Sequence, residues 1–179
     1  LDTNYDVDGM VTTSITADDN IAYGICIQSD GKSVVAGYVF GNDPDFALAR
    51  YNTDGSLDTT LNTTGKVTTD VGSRSNQYNA VARQSDGKIV AAGFASNAQN
   101  NDFALTRVNS DGTLDTTFNG TGKVTTPILA SDDSANAVAI QPDGKIAAAG
   151  TALTGANTDY AIARYNTDGP LDTTFNGAG

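Results

Sequence analysis

The sequence predicts an all-β protein built from repeats, and two observations support this prediction. One phrase, LDTTFNGTGKVTT in its clearest form, begins four times, at Leu1, Leu57, Leu114 and Leu171. These starts define a period of 56 or 57 residues, with repeats at 1–56, 57–113 and 114–170 and the start of a truncated fourth repeat at 171–179. Between the phrases, short segments rich in β-branched and aromatic residues alternate with turns that contain Gly, as is typical of strands.

Four short strands are predicted in each repeat, and the second and third repeats show them most clearly. The first two strands flank a tight turn, Ser85-Asp86-Gly87, in which Gly supplies the positive φ that a hairpin loop requires. A variable loop at 95–101 precedes the third strand, and a Lys-Val-Thr-Thr segment forms the fourth. The predicted strands are 79–84, 88–94, 102–109 and 123–126, then 135–141, 145–151 and 159–166, with 66–69 as the fourth strand beside the first repeat.

The second predicted strand of each repeat is apolar on both faces, so both faces of its sheet should be covered. It ends in Ala-Ala-Gly at 91–93 and 148–150 and in Val-Ala-Gly at 35–37, and we expect these small residues to let neighbouring sheets approach closely. Radially stacked blades satisfy this requirement. The sequence therefore predicts a β-propeller-like array of three four-stranded antiparallel blades, with a ring that is incomplete within one chain. A β-solenoid is the alternative, although its coils are usually shorter.

The segments LDTTFNGTGK, QSDGKIVAAG and DFALTRVNSDG recur in register over essentially the whole chain. This combination resembles the delta-60 repeat family, bacterial β-propeller repeats of secreted and surface proteins. The resemblance implies propeller blades, often in large extracellular proteins, without enzymatic activity. The first repeat departs from the pattern at residues 4–8 and at Met10, as an end repeat would.

The two ends of the chain predict self-association. Residues 9–13 match the fourth strand of a repeat but have no first three strands before them, and the third repeat stops before its own fourth strand. Three blades are too few for a closed ring, so a head-to-tail ring or an open filament is expected. Residues 171–179 duplicate 1–9, however, and both cannot occupy one place, which favours a piece of a longer array. The candidate assembly strand consists of Met10, Val11, Thr12 and Thr13.

Composition excludes several function classes. The net charge is −11, with 10 basic and 21 acidic residues, and the basic residues occur singly, so nucleic acid is a poor partner. No apolar run is long enough for a membrane-spanning helix. Cys26 is the single cysteine, so no internal disulfide forms, and we expect a small buried residue there. The acidic, Thr-, Asn- and Gly-rich composition is associated with secretion and the cell surface.

A recurring Asn-x-Asp-Gly turn is the one candidate metal site, and calcium is the one candidate cofactor. Oxygen ligands at positions one, three and seven around a Gly resemble part of a calcium loop, but a later Glu is missing. An Asx-type turn whose side chains bond their own backbone is the simpler interpretation. The residues concerned are Asn52, Asp54 and Asp58, then Asn109, Asp111 and Asp115, and finally Asn166, Asp168 and Asp172.

Three arginines, Arg50, Arg107 and Arg164, occupy one position in the third strand, on the same face as Phe or Tyr and Leu or Ile. An Arg on a covered face should have a carboxylate partner. An ion pair between blades, with the Asp of a turn, is the favoured interpretation, and an anionic ligand at the ring centre is the alternative.

The functional prediction is an extracellular structural or adhesive protein of the bacterial cell surface that displays the variable loops at 40–44, 95–101 and 153–158. The chain has no His, so the commonest general base is absent and no enzymatic activity is expected. One alternative is a self-assembling subunit of a filament or ring. Another is a carbohydrate-binding, lectin-like module that recognises surface glycans. Such a module should show aromatics recurring at one loop position, whereas Tyr38, Phe40 and Phe94 are unevenly placed.

Overall fold

Three antiparallel sheets make up the computed structural model, which describes residues 1–72 and 74–179. Each sheet is a meander in which strands that follow one another in sequence are neighbours in space. Blade 1 contains β1 (Asn20–Ile27), β2 (Ser33–Val39), β3 (Asp45–Tyr51) and β4 (Lys66–Thr69). Blade 2 contains β5 (Asn76–Arg83), β6 (Ile89–Ser96), β7 (Asn101–Val108) and β8 (Lys123–Thr126). Blade 3 contains β9 (Asp133–Ile140), β10 (Ile146–Thr154) and β11 (Asn157–Tyr165).

This architecture confirms the all-β, propeller-like prediction, with an open array of blades in place of a closed ring. The antiparallel meander within each sheet differs from the stacked coils of the β-solenoid alternative. Blade 3 has three strands in the described residues, as expected for a repeat that stops before its fourth strand. Residues 10–13 lie outside any strand. Within the described residues, no helix is long and apolar enough to span a membrane.

The loops between the second and third strands are shorter than expected in two blades. In blade 2 the ladder continues to Ser96 opposite Asn101, and in blade 3 it continues to Thr154 opposite Asn157. The expected loops at 95–101 and 153–158 therefore shrink to residues 97–100 and to Gly155 and Ala156. The reason is that backbone pairing tolerates polar residues, so a polar stretch does not mark where a hairpin ladder ends.

The Gly of the Ala-Ala-Gly motif is required by a bulge inside its own sheet. The first strand of each blade carries an extra residue opposite this Gly. A Cβ on Gly93 would lie 1.8 Å from the backbone oxygen of Gln77, and on Gly150 it would lie 1.9 Å from that of Ser134. Only Gly fits such an approach. The sequence predicted that these small residues allow neighbouring sheets to approach each other. For the Gly this prediction is wrong, because its close contact lies within its own sheet.

Two apolar clusters hold the blades together. One joins blades 1 and 2, with Phe46 stacked on Tyr78 at a ring-centroid distance of 3.8 Å, and the other joins blades 2 and 3. We call the side of a blade that contacts the next blade its rear face and the opposite side its front face. Cys26 packs against the first cluster, and burial raises the pKa of its thiol, so it behaves as a small apolar residue.

Candidate functional site

The most regular polar feature is a network around the Asp of the repeated phrase. In blade 2, Oδ2 of Asp115 accepts hydrogen bonds from Arg107 Nε at 2.7 Å and from Lys88 Nζ at 2.9 Å. Its other oxygen accepts bonds from the backbone N–H and the hydroxyl of Thr117. The same four groups meet in blade 1 as Asp58, Arg50, Lys32 and Thr60. In blade 3 they are Asp172, Arg164, Lys145 and Thr174.

This network explains why the same Lys, Arg, Asp and Thr recur in every repeat although they are far apart in sequence. The carboxylate is buried, and a buried charge is tolerated only when it is paired and hydrogen-bonded. Desolvation alone would raise the pKa of Asp58, but hydrogen bonds from Lys32 and Thr60 outweigh it and hold the pKa well below its usual range. For Asp115, hydrogen bonds from Thr117 and Lys88 outweigh desolvation in the same way, so its pKa is also lowered.

The arginines link neighbouring blades through a hydrogen bond to a backbone oxygen, and not through the expected ion pair. Their carboxylate partner lies in the same blade, so the expected ion pair between blades is not the one found. The contact between blades is a hydrogen bond: Arg50 Nη1 donates to the backbone oxygen of Ser110 at 2.7 Å, and Arg107 Nη1 donates to that of Thr167. These guanidinium groups are thus engaged by protein atoms on both sides of the interface.

The candidate calcium residues do not meet at one point. In the first turn, Asn52 Nδ2 donates to Ser56 Oγ, and Asp54 Oδ1 accepts from the backbone and hydroxyl of Ser56, while Asp58 faces Arg50. The second turn repeats this pattern around Thr113. The described residues contain no group of three or more His, Cys, Asp or Glu side chains that could hold a metal ion. The turns have the geometry of Asx-type turns, and calcium binding stays a prediction.

A polar groove opens between neighbouring blades at the end where these networks lie, and it occurs twice. Between blades 1 and 2 its lining includes Gln28, Ser29, Asp30, Lys32, Arg50 and Ser110. Between blades 2 and 3 the equivalent residues are Gln84, Ser85, Asp86, Lys88, Arg107 and Thr167. Arg83 lines both grooves. The chain therefore presents one site in two copies, set side by side.

Glutamine side chains give the groove between blades 2 and 3 two unused hydrogen-bond acceptors. Gln84 is buried, and its Oε1 has no hydrogen-bond partner among the described residues; the same holds for Oε1 of Gln141 at the equivalent position of blade 3. A buried carbonyl oxygen without a partner costs about 1–3 kcal/mol, so a ligand or solvent donor is expected there. These residues were not predicted from the sequence, although a Gln precedes the Asp-Gly turn in all three repeats.

Two of the aromatic residues singled out by the sequence, Tyr38 and Phe40, come together with Tyr23 at the opposite end of blade 1, whereas Phe94 lies in β6 of blade 2. Tyr38 lies 5.0 Å from Phe40 and 6.0 Å from Tyr23, measured between ring centroids. Asn79 and Asn136 occupy the position of Tyr23 in the other two repeats. This cluster is therefore particular to blade 1 and is not part of the repeated groove.

The family follows from three matches, one in each blade. The family described as "Domain of unknown function (DUF5122) beta-propeller" matches residues 28–61, 84–118 and 141–175. These segments cover more than half of the chain, which therefore belongs to this family of β-propeller repeats. Each begins at the recurring Gln of the groove and ends in the repeated phrase. The resemblance is thus confirmed at the level of a propeller repeat, and the delta-60 assignment stays a prediction. No curated protein matches the chain.

Solved structures with a similar fold include two arabinan enzymes. The endo-arabinase from Bacteroides thetaiotaomicron VPI-5482 is 14% identical, with a TM-score of 0.46 over 82% of this chain and 56% of that one. The exo-1,5-α-L-arabinanase from a bovine ruminal metagenomic library is 12% identical, with a TM-score of 0.44 over 88% and 59%. This chain thus spans less than two thirds of either structure, and the likeness concerns the fold alone.

The expectation that the chain is not an enzyme is corrected, since the two solved structures with a similar fold are both those of enzymes; this removes the exclusion and assigns no activity to this chain. Its premise was the missing His, but glycosidic bonds are generally cleaved by a pair of carboxyl groups. A chain rich in Asp and without His is therefore not excluded from catalysis. The likeness assigns no catalytic residue to this chain.

Proposed function

We propose that this propeller array binds carbohydrate in the grooves between its blades. The observation that supports the proposal is the buried, unpartnered amide oxygen of Gln84 and of Gln141 in a groove lined by polar side chains. Sugar hydroxyls are hydrogen-bond donors and would satisfy these oxygens, which removes the cost of leaving them unpaired.

The charges of the groove favour a neutral ligand over an ionic one. Lys88 and Arg107 share the carboxylate of Asp115, and Lys88 Nζ also lies 3.7 Å from Asp86 Oδ2. These two cations therefore face two carboxylates, and Arg83 is the one further cation among the described lining residues. A neutral, polyhydroxylated molecule gains hydrogen bonds here without having to displace an ion pair.

The duplication of the groove favours a polymer over a single sugar. Equivalent residues line both grooves, so successive segments of one polysaccharide would meet the same groups in turn. Binding at one groove raises the effective concentration at the other, which increases the overall affinity without any new contact.

Affinity electrophoresis through gels that contain soluble neutral polysaccharides, including arabinan, tests the proposal. We expect retardation of the wild-type chain and at least a roughly tenfold weaker affinity for the double variant Gln84→Met, Gln141→Met, which loses two of the acceptors, a difference of about 1.4 kcal/mol. Gln99→Met, an exposed position in the loop at 97–100, is the matched control. The proposal fails if no polysaccharide retards the wild type, or if the double variant is retarded as strongly as the control.

The location that fits this role is the cell surface, as the composition of the chain suggests. Binding of surface glycans there would make the protein adhesive through its grooves, whereas the short loops of blades 2 and 3 leave little variable surface for display. Accessibility of the protein to an added protease on intact cells checks the location, with a cytoplasmic protein as the control.

A further inference from the structure

One carboxylate of blade 3 is buried with one of its two oxygens unpartnered. Asp133 lies at the start of β9 and is 1% exposed. Its Oδ2 accepts hydrogen bonds from the backbone N–H groups of Ile128 at 2.8 Å and of Leu129 at 2.9 Å. Its Oδ1 is also buried and has no hydrogen-bond partner among the described residues. Because a buried charge is tolerated only when it is paired and hydrogen-bonded, this oxygen requires a positively charged or hydrogen-bonding partner.

Asn20 occupies the same position in blade 1 and shows which backbone groups surround it. Its Oδ1 accepts hydrogen bonds from the N–H groups of Ile15 at 3.2 Å and of Thr16 at 3.1 Å, five and four residues earlier in the chain. Its Nδ2 donates to the backbone oxygens of Asp18 at 2.5 Å and of Thr16 at 3.3 Å. The amide therefore fits the position fully, because its oxygen meets donors and its nitrogen meets acceptors.

The backbone around this position is the same in blades 1 and 3. Residues 15–18 and 128–131 each form four consecutive bends before the first strand. In blade 1, the backbone oxygen of Asp19 accepts a hydrogen bond from Phe40 N at 2.8 Å. In blade 3, the equivalent oxygen of Asp132 accepts one from Leu153 N at 3.0 Å. The backbone oxygens that face the amide nitrogen in blade 1 therefore have counterparts in blade 3.

In blade 3 a carboxylate oxygen occupies the place of that amide nitrogen. The two backbone oxygens that Asn20 bonds through its nitrogen correspond to those of Ser131 and Leu129. A carboxylate oxygen cannot donate to them, so Oδ1 of Asp133 and these two backbone oxygens direct their lone pairs toward one point. Carboxylate and backbone carbonyl oxygens are the ligands that calcium prefers in proteins.

Two further carboxylates lie beside this point. Asn100 Nδ2 donates to the backbone oxygen of Ser131 at 2.8 Å and to Asp102 Oδ1 at 3.3 Å, which brings the buried Asp102 close to it. Asp132 is the next residue in sequence and is exposed. Among the described residues, neither of these two carboxylates nor that of Asp133 takes part in a salt bridge. The surroundings are therefore negatively charged, which favours a divalent cation.

We propose that a calcium ion binds at Asp133, with its Oδ1 and the backbone oxygens of Ser131 and Leu129 as the ligands from the protein. Calcium takes about six to eight oxygens in flexible geometry. Water completes this set from the outer side, where Leu129 is 39% exposed. Magnesium requires a nearly ideal octahedron and gives up its waters reluctantly, so it fits this fixed backbone less well.

Calcium at this position would strengthen the contact between blades 2 and 3. Asn100 belongs to the hairpin loop of blade 2, and its amide already bonds the oxygen of Ser131 that the ion would share. The site lies at the opposite end of β9 from Gln141, away from the carbohydrate groove and from the Asn-x-Asp-Gly turns. The inference therefore does not depend on the proposed carbohydrate binding.

Thermal unfolding of the 179-residue chain, in EDTA and in calcium chloride, tests this proposal. At a calcium concentration about 100 times the dissociation constant, the midpoint of the wild type should rise by roughly 5–10 °C. Asp133→Asn should show no rise, because it restores the amide that Asn20 and Asn76 have in the other blades. In EDTA this variant should unfold at a higher temperature than the wild type, since its Nδ2 now donates to the backbone oxygens.

Asp54→Asn is the matched control, because it removes the same charge from an exposed Asn-x-Asp-Gly turn and should keep the full response. Isothermal titration calorimetry should find one calcium ion per chain in the wild type and the control, and none in Asp133→Asn. A wild type that does not respond to calcium, a response that survives in Asp133→Asn, or one that is lost in Asp54→Asn would each overturn the proposal. An equal response to magnesium chloride would overturn the choice of calcium.

Discussion

Blades 2 and 3 share most of their sequence but not their surroundings, and the difference shows how much of a blade depends on its neighbour. Phe103 and Tyr160 stand at the same position of the third strand, and one is fully buried while the other is fully exposed. In a repeat protein each unit contributes its own stability and an interface with the next unit. Blade 2 is stabilised both by its own contacts and by the interface that its rear face makes with blade 3. Blade 3 has no such interface on its rear face in the described residues.

The polar network shows the same contrast. The guanidinium of Arg107 reaches the backbone oxygen of Thr167 in the next blade, and its side chain is 5% exposed. Arg164 contacts Asp172 and Thr174 of its own blade, and its side chain is 21% exposed. The identical motif therefore makes a buried link between blades in one place and a half-open ion pair in the other.

The largest expected effect on the free energy of unfolding comes from the apolar side chains on the rear faces of blades 2 and 3. Phe103→Ala should lower the free energy of unfolding by about 3–5 kcal/mol, because it leaves a cavity between blades 2 and 3. Tyr160→Ala should change it by less than about 0.5 kcal/mol in the monomer, because the side chain is exposed. Urea denaturation of dilute protein measures both, and equal losses would contradict the structure.

A smaller difference is expected between the two arginines. Arg107→Met leaves the buried carboxylate of Asp115 with fewer partners and should cost about 3 kcal/mol. Arg164→Met should cost clearly less, because its environment is more open and solvent compensates. The same urea titration tests this order. Phe118, over which Arg107 lies at 4.6 Å, still packs against Met, so the loss reports on the charge rather than on the packing.

The smallest effect is the dependence of stability on pH. Because the pKa values of Asp58 and Asp115 are lowered in the folded state, the unfolded chain binds more protons below its own carboxyl pKa of about 3.9. Their contribution is thus fully present above about pH 4 and is lost as the pH falls below it. With no His in the chain, the free energy of unfolding should be nearly constant from about pH 5 to pH 7.

The control for this pH dependence is Asp115→Asn, measured by urea denaturation at several pH values. The variant should be less stable at neutral pH and should show a shallower loss in acid than the wild type. An unchanged acid slope would mean that other carboxyl groups carry the dependence.

Particular residues show how far the sequence could predict the site. Arg107 and Asp115 recur in register, so a structural role for both was predictable, but their spacing does not reveal in which blade each partner lies. The recurrence of Gln84 and Gln141 was visible in the sequence. Their importance depends on the absence of a hydrogen-bond partner among the described residues, which no spacing reveals.

The sequence by itself determined the repeat, the strand order within a blade and the places of the Asp-Gly turns, because these depend on local backbone preferences and on alternation along one strand. Only the tertiary structure decided which faces are buried, which oxygens stay unpaired and which ends are open. Burial is a property of two surfaces that meet, and equivalent positions such as Phe103 in β7 and Tyr160 in β11 differ in burial because only the first faces a neighbouring blade. The requirement for Gly93, set by the backbone of Gln77 across the sheet, is likewise a distance between strands that no single strand encodes.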